Sequence, residues 1–350
     1  MIQSVSFPIS TYSIQPYGNW KNLGTKLRAL GLDGIEAITD TDNPDPAFDP
    51  GLVSGDHLTF YPDWLDFWRQ DEEALRRKFG TRAVAETFYR ARTPEELLRR
   101  FREDLSFGLR FRPPYVVFHV SDVSLEESMT YRWLHTDREI LDGALELINL
   151  LLKDVEPSFD FLVENLWWPG FTFTDPKLTE YLLSGIKYPR AGIMLDTGHL
   201  MNANTAIRNQ KDGVRWVLEN WEKHGALKQR VYGIHFHQSL SGAYVRSHTG
   251  TLPSAYNGDY FHDFAVNYPH IQMIDRHRPW TDPECVRILE TVRPKYLTHE
   301  LSAPTRGTLL GAVRRQINTI RRGRNQIVFQ TAAPRSSKSG ANESGCDPSD

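Results

Sequence analysis

Short apolar runs rich in Val, Ile, Leu and Phe recur along the chain, and run after run stops on a histidine or a carboxylate. They lie at Val5–Ile9, Gly34–Ile38, His57–Tyr61, Tyr115–Val120, Phe159–Glu164, Gly192–Asp196, Val231–His237 and Tyr296–Glu300, each about the length of a strand. Segments with helical spacing separate them: Trp20–Leu30, Asp137–Lys153, Asp175–Leu183, Ile207–His224, Asp282–Val292 and Leu309–Arg321. A further helix opens at Thr93, where Thr-Pro-Glu-Glu puts a capping hydroxyl ahead of a proline at the first helical position, and Asp175-Pro176 repeats that signal.

Eight strands alternating with helices predict an α/β fold, a (β/α)8 TIM barrel spanning residues 1–325. A doubly wound sheet would give the same alternation. The polar groups decide between the two, because a closed barrel brings every strand end to one mouth whereas an open sheet keeps its outer strands apart. The connections after the third and seventh strands, Pro62–Arg112 and Ser239–His270, are long, as is Val123–Thr136 after the fourth; loops of this kind form lids or substrate walls. From about Thr331 the chain turns Ser-, Gly- and Pro-rich, and 331–350 reads as a disordered tail.

Composition narrows the classes. A chain of 350 residues can bury one large core, and a net charge of -3 neither demands nor excludes a polyanionic partner. The longest apolar runs, such as LELINLLL, are too short to span a membrane, and MIQSVSFPIS has no signal-peptide pattern. Only Cys285 and Cys346 occur, so no disulfide framework is expected and the cytoplasm is the expected compartment.

The chemistry sits at the strand ends. In Asp196-Thr-Gly-His199 a glycine lets the chain turn tightly, so both flanking side chains can face the mouth; the bland reading is a capping aspartate beside a structural histidine. His235-Phe-His237 lies on a strand, so both rings share a face. His237, nearer the mouth, is the expected ligand, with His235 a supporting or core residue. Asp275-Arg-His277 has alternate spacing and can deliver two groups from one extended segment. Glu164 and Glu300 each follow a buried run, where an unpaired charge is costly and coordination or a salt bridge removes the cost. His57 and His119 complete the set.

Nine candidate ligands, His57, His119, Glu164, Asp196, His199, His237, Asp275, His277 and Glu300, exceed one coordination sphere and suggest two or three divalent ions. Mixed histidine and carboxylate donors suit Zn first, with Mn or Fe as alternatives. There is no P-loop, no dinucleotide fingerprint and no GxSxG elbow.

On these residues the sequence resembles the endonuclease IV and xylose isomerase-like barrel superfamily. LVEN with Glu164, LDTGH with Asp196 and His199, HFHQS with His237, and THE with Glu300 are similar to its shared metal core. His57, His119 and Asp275-Arg-His277 resemble the additional ligands of the three-zinc endonuclease IV site. Departures lie around the core: LTFYPDWLDFW follows His57, Gly198 stands where the endonuclease motif typically has cysteine, and LWWPGFTF follows Glu164.

The resemblance implies a metal-dependent enzyme. Its expected substrate is a small oxygen-rich molecule, a sugar, sugar phosphate or related metabolite, most simply cleaved by metal-hydroxide hydrolysis. Alternatives are isomerisation or epimerisation with Glu164 and Glu300 as acid and base, oxidation at a multi-iron site, an endonuclease IV-like phosphodiesterase, and a non-catalytic binding barrel. Nucleic acid is not expected as a partner: Asp63, Asp66, Asp71, Glu72 and Glu73 would repel a phosphate backbone, while Phe60, Tyr61, Trp64, Trp68, Trp167 and Trp168 could wall a compact pocket.

Overall fold

A computed structural model describes residues 1–38 and 44–332. Eight parallel strands close into a barrel in sequence order: β1 (Ile2–Pro8), β2 (Gly34–Ile38), β3 (Val53–His57), β4 (Tyr115–His119), β5 (Asp160–Glu164), β6 (Ala191–Asp196), β7 (Val231–His235) and β8 (Tyr296–His299). β8 pairs with β1 from Ile2–Tyr296 to Val5–His299 and so closes the ring. The expected (β/α)8 barrel is the observed fold.

Alternation along each strand divides the side chains into two sets. Val116, Phe118, Phe161, Val163, Ile193, Leu195 and Ile234 point outward into the layer beneath the helices, the main apolar core. Tyr115, Val117, Leu162, Met194 and Tyr296 point inward and fill the lower barrel. The inward parity continues upward to His57, His119, Glu164, Asp196 and His235, which cap this plug at the C-terminal rim.

Thr93 and Asp175 cap the helices Pro94–Leu109 and Pro176–Gly185 as their sequences imply. β3 ends at His57 rather than beginning there, because Val53–His57 runs along β2, with Asp56 and His57 also paired to β4, while the more apolar LTFY stretch leaves the sheet. The long connection after β3 folds into helices Leu65–Trp68, Glu72–Phe79, Arg82–Tyr89 and Pro94–Leu109, and the one after β7 into Gly242–His248 and Tyr260–Ile274. The last helix, Leu309–Ala332, runs through Thr331, where a disordered tail was expected to begin. Gly323 lets this helix lie close against the chain at Pro283 and Val286, since a Cβ there would meet the Pro283 carbonyl at 2.3 Å. The rest of that stretch, 333–350, lies outside the described residues. No helix among the described residues is long and apolar enough to cross a membrane.

Candidate metal centre

All nine sequence-predicted residues converge at the rim, joined by a tenth, His235. They form three groups whose ligand atoms lie within 4.8 Å of one another: His57, His119 and Glu164; Glu164, Asp196, His235 and Glu300; and His199, His237, Asp275 and His277. Glu164 belongs to two of them. Its Oε2 lies 3.2 Å from His57 Nε2 and 3.1 Å from His119 Nε2, while Oε1 lies 3.1 Å from His235 Nδ1 and 3.2 Å from His199 Nδ1.

The expected grouping of Glu164, Asp196 and Glu300 with His237 is replaced by one with His235. The sequence placed both histidines on one face of a strand, but β7 ends at His235 and His237 lies beyond it. The ring of His235, fully buried, points its Nδ1 at Glu164, Asp196 (3.8 Å) and Glu300 (2.8 Å). His237 lies one pleat higher. Its Nε2 is 2.8 Å from Asp196 Oδ2, and its ring stacks on His277 with centroids 4.1 Å apart.

Four of the rings are aimed by the far nitrogen. Nδ1–H of His57 donates to the Leu58 carbonyl at 3.0 Å, that of His199 to Asn165 at 3.0 Å, and that of His277 to Glu300 at 3.2 Å, which leaves Nε2 to face the groups above. His235 is turned the other way, with Nε2 at 3.0 Å from the buried carboxylate of Glu36. Asn165, which follows Glu164 in sequence, ties β5 to β6: its amide donates to the Asp196 carbonyl at 3.0 Å, and its Oδ1 accepts from the Asp196 N–H at 2.9 Å. Sequence reasoning passed over Asn165 and Glu36. The position of Glu36 inside the short run GIEAI was the available signal.

Burial lowers the His57 imidazole, but Glu164, with Glu36 and Glu300, outweighs it and lifts it to about 9. The same contest, with Asp275 and Glu300 prevailing, lifts His277 to about 9. His199 and His235 also rise, against burial, through their carboxylate neighbours. Glu164, Asp275 and Glu300 fall despite burial because imidazoles surround them. For His119, burial prevails and the ring is lowered.

Proton sharing alone does not account for these contacts. Three carboxylates approach His235 Nδ1, yet one ring nitrogen can donate one hydrogen. Glu164 Oε1, His235 Nδ1, His237 Nδ1, Asp275 Oδ1 and Glu300 Oε2 are all buried without a hydrogen bond. Imidazole nitrogens and carboxylate oxygens that crowd together without hydrogen-bond geometry fit the donor set of a shared divalent cation. Four residues keep an opening to solvent: the side chains of His119, Asp275, Glu300 and His277 are 14–17 % exposed.

The expected aromatic wall is divided. Phe60 packs edge-on against His119 at 4.4 Å, and Trp167, in tilted contact with Trp168, lies 5.1 Å from His199. Trp64 and Trp68 instead join the core beneath the helices, with indole N–H groups donating to Ser121 and Glu146, and Tyr61 packs on Tyr89 and Phe101. Asp63 and Asp66 are likewise turned inward onto Lys78, at 2.8 and 2.7 Å, so they present no repulsive surface to a phosphate backbone. Asp71 caps the helix that begins at Glu72.

No family model and no curated protein matches the chain. Solved structures match its fold. A xylose isomerase-like TIM barrel/4-hydroxyphenylpyruvate dioxygenase fusion protein aligns over 96% of this chain and 45% of its own length, at 12% identity and a TM-score of 0.50. An L-ribulose 3-epimerase covers 96% of this chain and 100% of its own at 11% identity and TM-score 0.49. Endonuclease IV from Thermus thermophilus covers 92% and 100% at 13% identity and TM-score 0.47.

Proposed function

We propose, for a chain with the xylose isomerase-like TIM-barrel fold, a metal-dependent enzyme that hydrolyses a small oxygen-rich substrate. The observation that carries this reading is Glu164, whose two oxygens face two different sets of ligands. A carboxylate so placed suits a bridge between neighbouring ions. His57, His119 and Glu164 would hold one ion, and Glu164, Asp196, His235 and Glu300 a second. His199, His237, Asp275 and His277 would hold a third. Divalent ions held there supply Lewis acidity, lowering the pKa of a water and offsetting negative charge on attacking and leaving oxygens.

The protein's part is to hold the donors, exclude bulk water and present substrate through one opening. Glu164, Asp196, His235 and His237 are fully buried, so a substrate meets the edge formed by His119, Asp275, His277 and Glu300. Proton shuttling between Glu164 and Glu300, as isomerisation would require, fits less well. Glu164 is fully buried among imidazoles, and of the two carboxylates only Glu300 is reachable from solvent.

Elemental analysis of protein purified without added metal, followed by assays on phosphate esters of sugars and polyols, tests this reading. Retention of more than one equivalent of Zn, Mn or Fe, with hydrolysis abolished by a chelator, is the expected result. A single equivalent, with solvent deuterium entering a sugar carbon and no hydrolysis, would replace it with the isomerase reading.

A further inference from the structure

Glu36 is fully buried inside the barrel, at an inward position of β2 and below the metal centre. Its Oε2 accepts from the Tyr115 hydroxyl at 2.7 Å and the Thr298 hydroxyl at 2.9 Å. Both carboxylate oxygens lie 3.0 Å from Nε2 of His235. Gly55 on β3 opens the route for Tyr115, since a Cβ at that position would lie 2.1 Å from Cζ of the phenol ring. A carboxylate taken this deep is costly unless it is paired; here two hydroxyls and one imidazole converge on Oε2, while Oε1 makes no hydrogen bond and faces only the same imidazole.

We propose that Glu36 is a positioning residue for the metal centre, acting through His235; this rests on the metal-centre reading above. Two hydroxyl donors hold the carboxylate below the ring, so the ring nitrogen facing it must carry a proton. That fixes His235 as the Nε2–H tautomer and aims the Nδ1 lone pair at the pocket between Glu164, Asp196 and Glu300. His57, His199 and His277 achieve the same end through main-chain carbonyls. His235 instead depends on an ionisable side chain from a distant strand, and an anionic acceptor also makes the imidazole a stronger donor toward a cation. Glu36 itself offers no oxygen to any of the three ligand groups.

The test combines a variant with a measurement on the unaltered protein. Glu36→Gln keeps size and an acceptor but removes the charge. It is expected to retain the wild-type circular dichroism while its zinc affinity, measured by chelator competition, falls about 10- to 100-fold. In the wild-type protein loaded with cadmium, scalar coupling to isotope-labelled imidazole is expected at Nδ1 of His235, with a proton on Nε2. Wild-type zinc affinity in Glu36→Gln, or coupling at Nε2, overturns the role of Glu36 and leaves the metal centre standing. Should the variant fail to fold, the coupling in the wild-type protein decides alone. If the wild-type protein takes up neither zinc nor cadmium, the metal-centre reading falls, and the role of Glu36 with it.

Discussion

Gly198 and His237 occupy the same space: a Cβ on residue 198 would lie 2.0 Å from Cε1 of the imidazole. The ring cannot retreat, since His277 stacks on it at 4.1 Å and 10° and Asp196 holds its Nε2 at 2.8 Å. Glycine here is a packing requirement of the His237 position. Gly198→Ala should push His237 out of its group and cost about 1–3 kcal/mol from overpacking. Metal analysis should show the loss of one equivalent while the barrel stays folded. Full metal content in that variant would mean that His237 is not a ligand.

The sharing of Glu164 between two groups gives an unequal pair of outcomes. Glu164→Gln should lower the metal content by two equivalents, whereas Asp275→Asn, which touches only the outer group, should lower it by one. Equal losses, measured by elemental analysis after gel filtration, would show that Glu164 does not bridge.

Metal uptake should release protons at neutral pH. Attraction to carboxylates lifts His57 and His277 to about 9, so in the metal-free protein both rings are protonated at pH 7. A cation must displace those protons, so affinity should climb as the pH rises toward about 9 and level off above it. Calorimetric titration with zinc in buffers of different ionisation enthalpy reads the proton count. No release at about pH 7 would contradict these ion pairs.

The barrel and most of its rim were legible in the chain because apolar runs of strand length recur between helical segments and the candidate ligands close those runs. Glu164, Asp196 and Glu300 could be placed for that reason alone. The choice between His235 and His237 was not legible. Parity puts both on one face, and what separates them is the depth of the ring and the presence of Glu36, contributed by a strand almost two hundred residues earlier. A lone glutamate in the apolar run GIEAI marks a buried charge, but nothing in the sequence says which ring it faces. Trp64 and Trp68 were misplaced for a related reason. Their loop folds into helices that bury both against the barrel, and aromatic content does not distinguish a pocket wall from a local core.

A last prediction concerns His299, beside Glu300 but facing away from the rim. Burial depresses this histidine to about 4. Gln316 explains why neutrality is required. Its Oε1 accepts from the Trp280 N–H and its Nε2 donates to the Phe236 carbonyl, each at 2.7 Å, so the amide orientation is fixed. The same Nε2 lies 2.8 Å from Nδ1 of His299, which must accept, while the far nitrogen meets the Gln3 amide at 2.7 Å. A proton on Nδ1 would face a donor inside a closed core. In the unfolded chain the ring has the ordinary value of about 6.5. Between about 6.5 and 4 the unfolded state therefore binds more protons than the folded one. The contribution of His299 is complete above that window and is lost as the pH falls through it, with a ceiling on the order of 3 kcal/mol. Urea denaturation of metal-free wild-type and His299→Asn protein at about pH 7 and pH 4.5 isolates this group, because the rim histidines and carboxylates are common to both. The wild-type protein should lose about 2 kcal/mol more than the variant on acidification; equal losses would mean that His299 titrates normally and that the Gln316 clamp does not enforce its neutral form.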